Sequence, residues 1–502
     1  MDSSLLWGLL VPFSTILGIL ITRNVFISLI LGLLCGGIVV NFGTPLEIPM
    51  YFLEKFRSIF WGSSGFAWGK LYIIGFLLCL GILGEFFLHS GGIGAMGGWI
   101  RSKLKTPKSS EFALFVFGII IFIDGCFNAV ILGQIARSVG EIYRLSKERL
   151  AYIVDSTSSP VCVLVPFSSW GAYILGILQS NLGAHQNASL VLFESIGFNF
   201  YAWLTLICVG MTIVWQVDAP TQRLMIAEPK EDPLPKQTHQ KSMFFIFVPF
   251  LVLFVSVFLF VFFDGYQKAQ QLDLMQIFAH SDINRSLFWG GMIGVVISVI
   301  LAYKRLDRDW MKSVVWKGGM TMSSAIGVLI LAWALAPILK DDLKLGILLS
   351  ELFAHSSFFD SPLLLPMLLF GISMLISFST GTSWGCFAIM LPIGIELALY
   401  SGGNVALAVA SVLGGSLYGD HTSPISDTTI LSSASVKCSL HNHFITQMFF
   451  AGICALCSFV GLFVYAESES LALSFGVAVM ILLLCLWVVK KRGRVANIRI
   501  DS

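Results

Sequence analysis

The sequence predicts an all-α polytopic membrane protein built from two inverted repeats, with broken helices, re-entrant hairpins and about 11 to 13 transmembrane segments. Three observations lead there. Of the 502 residues, 56% are hydrophobic and 12% charged, and the mean hydropathy of +0.85 lies far above that of water-soluble domains. Apolar stretches of bilayer-spanning length recur from end to end. Four of them are interrupted in the middle by Gly, Pro, Ser, Thr and Asp.

These features exclude several classes. A soluble multidomain enzyme does not fit such hydropathy. Lys plus Arg (31) nearly balances Asp plus Glu (29), and no basic stripe interleaved with aromatics offers itself to nucleic acid. No GxxxxGK[ST] occurs, so an ATP-driven pump has no engine in this chain. The 10 cysteines are scattered through apolar stretches, unlike a disulfide framework.

Taken in order, Leu5 to Thr22 lacks a basic region before it and a small-residue cleavage site after it, so it reads as a retained helix and not a signal peptide. Further spans follow at Asn24 to Phe42, Phe66 to His89, Gly197 to Val217, Met243 to Phe263, Arg285 to Tyr303, Gly319 to Leu339, Phe444 to Tyr465 and Ser470 to Val489. The interrupted stretches are Glu111 to Arg137, Leu150 to Leu182, Ser361 to Tyr400 and Asn404 to Ser433. Non-helical polar backbone at membrane depth has to be buried in protein or line a wet cavity. Function is therefore to be sought in those four.

Loop charge orients the chain, because cytoplasmic loops collect Lys and Arg. Arg101, Lys103, Lys105 and Lys108 mark one inside loop, Arg137, Arg144, Lys147 and Arg149 the next. Lys304, Arg305, Arg308, Lys312 and Lys317 mark a third, and the tail with Lys490, Lys491, Arg492 and Arg494 a fourth, which makes the C-terminus cytoplasmic. Glu111 to Arg137 then enters and leaves on the inside as a hairpin, and Ser361 to Tyr400 does so from the opposite face. Gly125-Cys126-Phe127 recurs as Gly385-Cys386-Phe387, and DSTSSP (Asp155 to Pro160) has a partner in DHTSP (Asp420 to Pro424). The expected organisation is a first repeat over 1–217, a cytoplasmic linker over 218–242, a second repeat over 243–465, and an extra helix with a basic tail over 466–502.

Burying a carboxylate in lipid is costly unless it pairs, protonates or binds a cation, so mid-span acids are functional candidates. Asp124, Asp155, Asp420 and Asp427 qualify. Asn128 lies near the first, Ser156, Thr157 and Ser158 follow the second, and Thr422, Ser423, Ser426, Thr428 and Thr429 surround the last two. Carboxylate, hydroxyl and freed carbonyl oxygens suit a hard cation, which assigns Na+ to Asp155, Asp420 and Asp427. The same carboxyls suit protons, and competition between the two ions is sufficient for exchange. The blander alternative is that these residues only cap half-helices and satisfy one another. Glu85 and His421 are relay candidates, against an interhelical hydrogen bond for the first and a plain hydrogen-bonded imidazole for the second.

Other motifs are discounted. Gly92, Gly94 and Gly97 form a GxGxxG after an apolar helix instead of a strand. Cys454 and Cys457 form a CxxC within a lipid-length helix, where they read as packing residues. His441 and His443 flank Asn442 in what reads as a cytoplasmic loop, a weak metal signal.

The runs FIDGCFN (Phe122 to Asn128), RLAYIVDSTSSP (Arg149 to Pro160), GTSWGCFAIMLP (Gly381 to Pro392) and YGDHTSPISDTT (Tyr418 to Thr429) resemble the NhaC family of sodium/proton antiporters. The resemblance implies an ion-transporter-superfamily fold, a sodium and proton site at the broken helices, and elevator-like movement, often as a homodimer. By matching position it points to Asp124, Asn128, Asp155, Thr157, Thr382, Ser383, Asp420, Thr422, Ser423, Asp427 and Thr428. The chain departs from the F-D-D-Y-x-N of the nearest subgroup by having Ile123 for one acid and Gly125-Cys126-Phe127 after Asp124.

The leading reading is thus a Na+/H+ exchanger of a bacterial-type inner membrane, with sodium ion, proton and lipid as its partners and no cofactor beyond the transported ions. The runner-up is a sodium- or proton-coupled carrier of a small organic solute, an amino acid or carboxylate, for which Gly125 and Cys126 leave room. An intramembrane aspartyl protease is disfavoured: it would carry YD and GxGD where this chain has YIVD (Tyr152 to Asp155) and LYGD (Leu417 to Asp420).

Overall fold

A computed structural model describes residues 3–22, 24–62, 65–92, 95, 103, 106–182, 186–220, 244–270, 277, 280–303, 308–344 and 364–500. The first half comprises α1 (Ser3–Thr22), α2 (Val25–Val40), α3 (Ile48–Phe60), the two-residue strands β1 (Trp61–Gly62) and β2 (Gly65–Phe66), α4 (Trp68–His89), α5 (Pro107–Ile120), α6 (Gly125–Tyr143), α7 (Lys147–Leu164), α8 (Ser169–Leu182), α9 (Ala188–Phe198) and α10 (Phe200–Trp215). The second comprises α11 (Phe244–Ala269), α12 (Ile283–Tyr303), α13 (Arg308–Pro337), α14 (Leu364–Thr380), α15 (Ser383–Ser401), α16 (Val405–His421), α17 (Asp427–Val436), α18 (Leu440–Ser468) and α19 (Leu471–Ile500).

Among the described residues, seven helices are long and apolar enough to cross a membrane, or up to nine if the bent pairs α7–α8 and α9–α10 each count as one span. That is fewer than the eleven or more expected, because several apolar stretches form shorter or broken helices such as α2 and α14. Expected and observed spans otherwise coincide to within a few residues, except that α13 begins well before Gly319, α11 and α19 run on past Phe263 and Val489 to Ala269 and Ile500, and α9 has no counterpart among the expected spans. The amphipathic α3 is also new. It packs against α13, and the Tyr51 hydroxyl lies 2.5 Å and Lys55 Nζ 2.6 Å from Oδ2 of Asp342, in the π-helical turn Ile338–Asp342 that follows α13.

The helices start where short polar side chains cap them. Asn24, Asp124, Ser146, Asn187, Asn199, Asn404, Ser426 and Ser439 each accept a hydrogen bond from a first-turn amide, and Thr106 and Ser109 form a capping box before α5. In a medium without water those caps satisfy donors that nothing else would.

Both halves contain the same sequence of elements: a helical hairpin, then a helix that breaks. In the first, α5 turns at residues 121–124 into α6, and Asn128 Nδ2 on the second arm donates to Gly118 O on the first at 2.8 Å. The helix α7 follows, and the chain unwinds at residues 165–168 before α8, with a 40° bend. In the second, α14 turns at Gly381 into α15, and Cys386 Sγ reaches Ser373 O at 3.5 Å. The helix α16 follows and unwinds at residues 422–426 before α17. Each hairpin tip is tied to the break in its own half: Ser169 N donates to Ile123 O at 2.9 Å, and Ser423 Oγ to Phe378 O at 2.8 Å. Gly381 is required twice over, by its φ of +66° and because a Cβ there would meet Ile425 O at 2.6 Å.

The DSTSSP run departs from expectation. It is not unwound: Asp155 to Pro160 lie within regular α7, and the break comes after Val165, at Pro166. The hydroxyls of Thr157 and Ser158 bond back to Ile153 O (2.7 Å) and Asp155 O (2.9 Å), so the polar side chains find acceptors within the helix without unwinding it.

The two halves interlock. Helix α17 packs against α6 and α7, where Ser435 lies against Gly133 and donates to Ala129 O at 3.2 Å. Within the second half α16 lies on α14 through Gly415 and Gly419, whose missing Cβ atoms admit the Phe370 and Met374 carbonyls. This is the small-xxx-small contact of membrane helices. The peripheral α11 and α19 keep large apolar side chains such as Phe258, Phe263, Leu484 and Trp487 exposed, the face that lipid covers. Most of the expected 218–242 linker lies outside the described residues, as do Gly94, Gly97, Arg101, Lys105, Lys304 and Arg305.

Candidate functional site

Asp155, in the middle of α7, is fully buried. Its Oδ2 lies 3.1 Å from His443 Nε2 and 3.5 Å from Thr429 Oγ1, and its Oδ1 lies 3.3 Å from Ser432 Oγ. The donors come from α17 and α18. The adjacent Ser156 Oγ and the side-chain amide of Gln447, one turn after His443 on α18, exchange bonds of 3.0 and 3.1 Å.

Asp420 closes α16 and is also buried. Ser426 donates to its Oδ1 at 2.6 Å and Ser383 to its Oδ2 at 3.0 Å, so the break after α16 and the start of α15 both hold this carboxylate. Its main-chain oxygen lies 3.4 Å from Thr429 Oγ1. Thr429 therefore stands between the Asp155 carboxylate and the Asp420 carbonyl, and through it the acids of the two halves form one cluster. His421 Nδ1 meets the Tyr201 hydroxyl at 3.0 Å.

Asp124 forms a second polar centre at the tip of the first hairpin. Its carboxylate caps α6 by accepting from Phe127 N at 3.1 Å and accepts from Ser169 Oγ at 2.8 Å. Around Gly125, two buried groups have no hydrogen-bond partner among the described residues: Ser159 Oγ and Trp170 Nε1, which a Cβ on Gly125 would meet at 3.4 and 3.5 Å. Asn128 Oδ1 is likewise buried and unpartnered.

The other sequence candidates divide. Thr422 bonds back to Tyr418 O at 2.8 Å, Ser423 ties the break to α14, and Thr428 Oγ1 lies 3.1 Å from Ser426 Oγ. These shape the break. Asp427 is exposed in the first turn of α17, where a carboxylate complements the helix dipole; it does not join Asp155 and Asp420 in the buried cluster. Thr382 is half-buried at the N-cap of α15 without capping it. Glu85 is half-buried on α4, whose main neighbours are α8, α12 and α13.

Sequence reasoning missed His443, Ser432 and Gln447. His441 and His443 were paired as a weak metal signal in a loop, but α18 already begins at Leu440, and residues two apart on a helix point to nearly opposite sides. His441 is exposed and His443 buried. The signal that could have found them is the i, i+4 spacing of His443 and Gln447, which places both on one face of an otherwise apolar helix. Among the described residues no group of three or more His, Cys, Asp or Glu side chains is arranged to hold a metal ion.

The model of the Na+/H+ antiporter family matches residues 161–466. The chain belongs to that family. An uncharacterized Haemophilus influenzae protein is 30% identical over 513 aligned positions, covering 98% of this chain and 96% of its own length. A second protein of that organism, described as an uncharacterized Na(+)/H(+) antiporter, is 33% identical over 72 residues, 14% of this chain and 15% of its own. Among solved structures, the YdaH transporter of Alcanivorax borkumensis shares the fold at a TM-score of 0.57 and 12% identity, covering 84% of this chain and 89% of that one. MtrF of Neisseria gonorrhoeae, described as illuminating a class of antimetabolite efflux pumps, does so at 0.52 and 12%, covering 84% of each. At these identities the likeness is one of fold. This member of the Na+/H+ antiporter family is an all-α polytopic membrane transporter and not an enzyme.

Proposed function

We propose that the protein exchanges Na+ for H+ across the membrane by alternating access, as an elevator-like transporter of the NhaC type. The observation that carries this reading is the buried pair Asp155 and Asp420, contributed by the two halves and joined through Thr429. Two carboxyls at membrane depth are too costly to keep ionised without a counter-charge. A proton or a sodium ion supplies it, and neither sits comfortably with the other. On this reading Asp155 carries the cation. Asp420, held by two serine hydroxyls, is the proton carrier, Asp124 tunes the site from the hairpin tip, and Glu85 or His421 relays protons.

The repeats over 1–217 and 243–465 would then be inverted copies around that cluster, joined by the 218–242 linker. By the excess of Lys and Arg in their loops, the C-terminus faces the cytoplasm of a bacterial-type inner membrane. An elevator of this kind is often a homodimer, its scaffold halves meeting while the site-bearing helices move.

A second reading, a sodium- or proton-coupled carrier of a small organic solute, draws on one observation: Ser159 Oγ and Trp170 Nε1 both lack a partner beside Gly125. Proteoliposomes with sodium and pH gradients imposed separately decide between them. Exchange predicts proton flux driven by sodium alone. Sodium-dependent counterflow of a labelled amino acid or dicarboxylate, without such proton flux, would replace the exchanger by the carrier.

A further inference from the structure

A cavity of about 580 Å³ opens between α4, α11 and α12, helices that contribute nothing to the cluster around Asp155 and Asp420. Four rings line it, those of Tyr72, Phe260, Phe263 and Trp289, together with Asp264 and Arg285. A void left by imperfect packing is apolar, whereas this one carries charges of both signs. Its volume lies within the range of small-molecule sites.

The charge pattern of the two outer helices gives its depth. From Phe244 to Phe263, α11 runs 20 residues without a charge, and Asp264 follows. At a rise of 1.5 Å per residue that run spans about 30 Å, the thickness of the hydrocarbon core. Helix α12 likewise carries no charge from Ser286 to Tyr303 after Arg285. Asp282 N donates to Asp264 Oδ2 at 2.6 Å, which sets the start of α12 beside the end of the apolar run. Asp264 and Arg285 thus stand together at one boundary of the bilayer, at the level of the lipid head groups. The mouth of the cavity faces the tails: Phe263 is 57% exposed, Trp289 48% and Phe260 39%.

The fold leaves both charges in reach of a ligand. Asp264 receives Lys268 Nζ at 2.7 Å and Asp282 N on Oδ2, and its Oδ1 has no hydrogen-bond partner among the described residues. Arg285 donates its main-chain amide to Asp282 Oδ1 at 3.1 Å, and its exposed guanidinium has no partner among the described residues. A guanidinium takes a phosphate through two parallel bonds, and a carboxylate takes a primary ammonium. The complementary ligand is a zwitterion with apolar tails.

We propose that this cavity binds a glycerophospholipid whose phosphate carries a primary ammonium, as in phosphatidylethanolamine. Arg285 holds the phosphate, Asp264 Oδ1 accepts from the ammonium, and the acyl chains leave past Phe260 and Trp289. The lipid so bound bridges α11, α12 and α4. A quaternary ammonium donates no hydrogen bond and would depend on the rings alone. The site stands whether or not the protein exchanges Na+ for H+.

The test is native mass spectrometry of the purified full-length protein, stripped of lipid in detergent. It is titrated with phosphatidylethanolamine, phosphatidylcholine or phosphatidylglycerol of identical acyl chains. The wild type should bind one phosphatidylethanolamine at least about fivefold more tightly than either of the others. Arg285→Gln should weaken that binding about tenfold, the size of a lost charge-assisted bond, and Asp264→Asn should remove the preference over phosphatidylcholine. Equal affinity for the three lipids in the wild type, or tighter binding of phosphatidylglycerol, overturns the head-group assignment without any variant having to fold. Unchanged affinity in Arg285→Gln, whose side chain the fold does not use, overturns the site. Glycerophosphoethanolamine, the head group without tails, should not displace the lipid at equal concentration; displacement on equal terms would replace the lipid by a water-soluble ligand.

Discussion

In the sequence Arg149 counts as one more positive charge in an inside loop, but its guanidinium is 11% exposed and the carboxylate it holds, Glu111, is 1% exposed. The fork is nearly complete: Nε lies 2.5 Å from Glu111 Oε1 and Nη2 3.0 Å from Oε2, with further bonds to Thr212 O (3.1 Å), Val217 O (3.0 Å) and Asp218 Oδ1 (2.9 Å). It fastens α7, which carries Asp155, to α5 and to the end of α10. Arg149→Met leaves Glu111 buried with Gln216 Nε2, at 2.9 Å, as its remaining donor. Breaking a buried pair by removing one partner costs about 3–5 kcal/mol, whereas replacing both by apolar groups is often close to neutral. An exposed pair such as Lys268 with Asp264, where the lysine is 49% exposed, is worth about 1 kcal/mol or less. Unfolding of the purified protein in detergent should therefore show Arg149→Met destabilised by about 3 kcal/mol or more. The double variant Arg149→Met/Glu111→Leu should recover most of that loss, giving a coupling energy of at least about 2 kcal/mol. A single-variant cost below about 1 kcal/mol, or strictly additive effects, would refute the claim that this pair is a buried fastening.

Asp155→Asn should abolish sodium-dependent proton flux in proteoliposomes while the protein remains monodisperse; retained flux with unchanged sodium dependence removes Asp155 from the site. Because protons and sodium compete for ionised carboxylates, apparent sodium affinity should rise with pH until the acids are fully ionised. Isothermal binding between about pH 6 and 9 checks this, and a flat profile argues against direct competition. Gly415→Leu should force α16 off the Phe370 carbonyl of α14, which a Cβ at this position already meets, and destabilise the protein by more than about 1–3 kcal/mol. Thermal unfolding in detergent reads this, and an unchanged midpoint would mean that the two helices have room to part.

Much of this molecule was legible along the chain. The peripheral spans stand out because a membrane helix declares itself through about 20 consecutive apolar residues, and the four interrupted stretches coincide with the two hairpins and the two broken helices. Asp155 and Asp420 were found on cost alone. Three particulars were not legible. The Ser and Thr residues after Asp155 resemble a loop in composition, yet α7 stays wound through Pro160 and the hydroxyls of Thr157 and Ser158 are satisfied by carbonyls of the preceding turn. Asp427 lies among Ser and Thr residues much as Asp420 does, but it is exposed in the first turn of α17 while Asp420 is buried at the end of α16. His443 depended on where α18 begins, and a shift of a few residues separates a loop histidine from a buried one.

The sequence by itself determined that the chain lives in lipid, that it is helical, that its two halves carry the same order of hairpin and broken helix, and that a few acids are buried at a cost. Those are local properties, set by hydropathy over a window of residues and by the need of each backbone segment to satisfy its own polar groups. Tertiary structure decided which groups meet. His443 reaches Asp155 across 288 positions of chain, and Thr429 across 274. Such contacts depend on the rotation of each helix about its axis, about 100° per residue, and on glycines such as Gly133 and Gly415 that let particular helices close on one another.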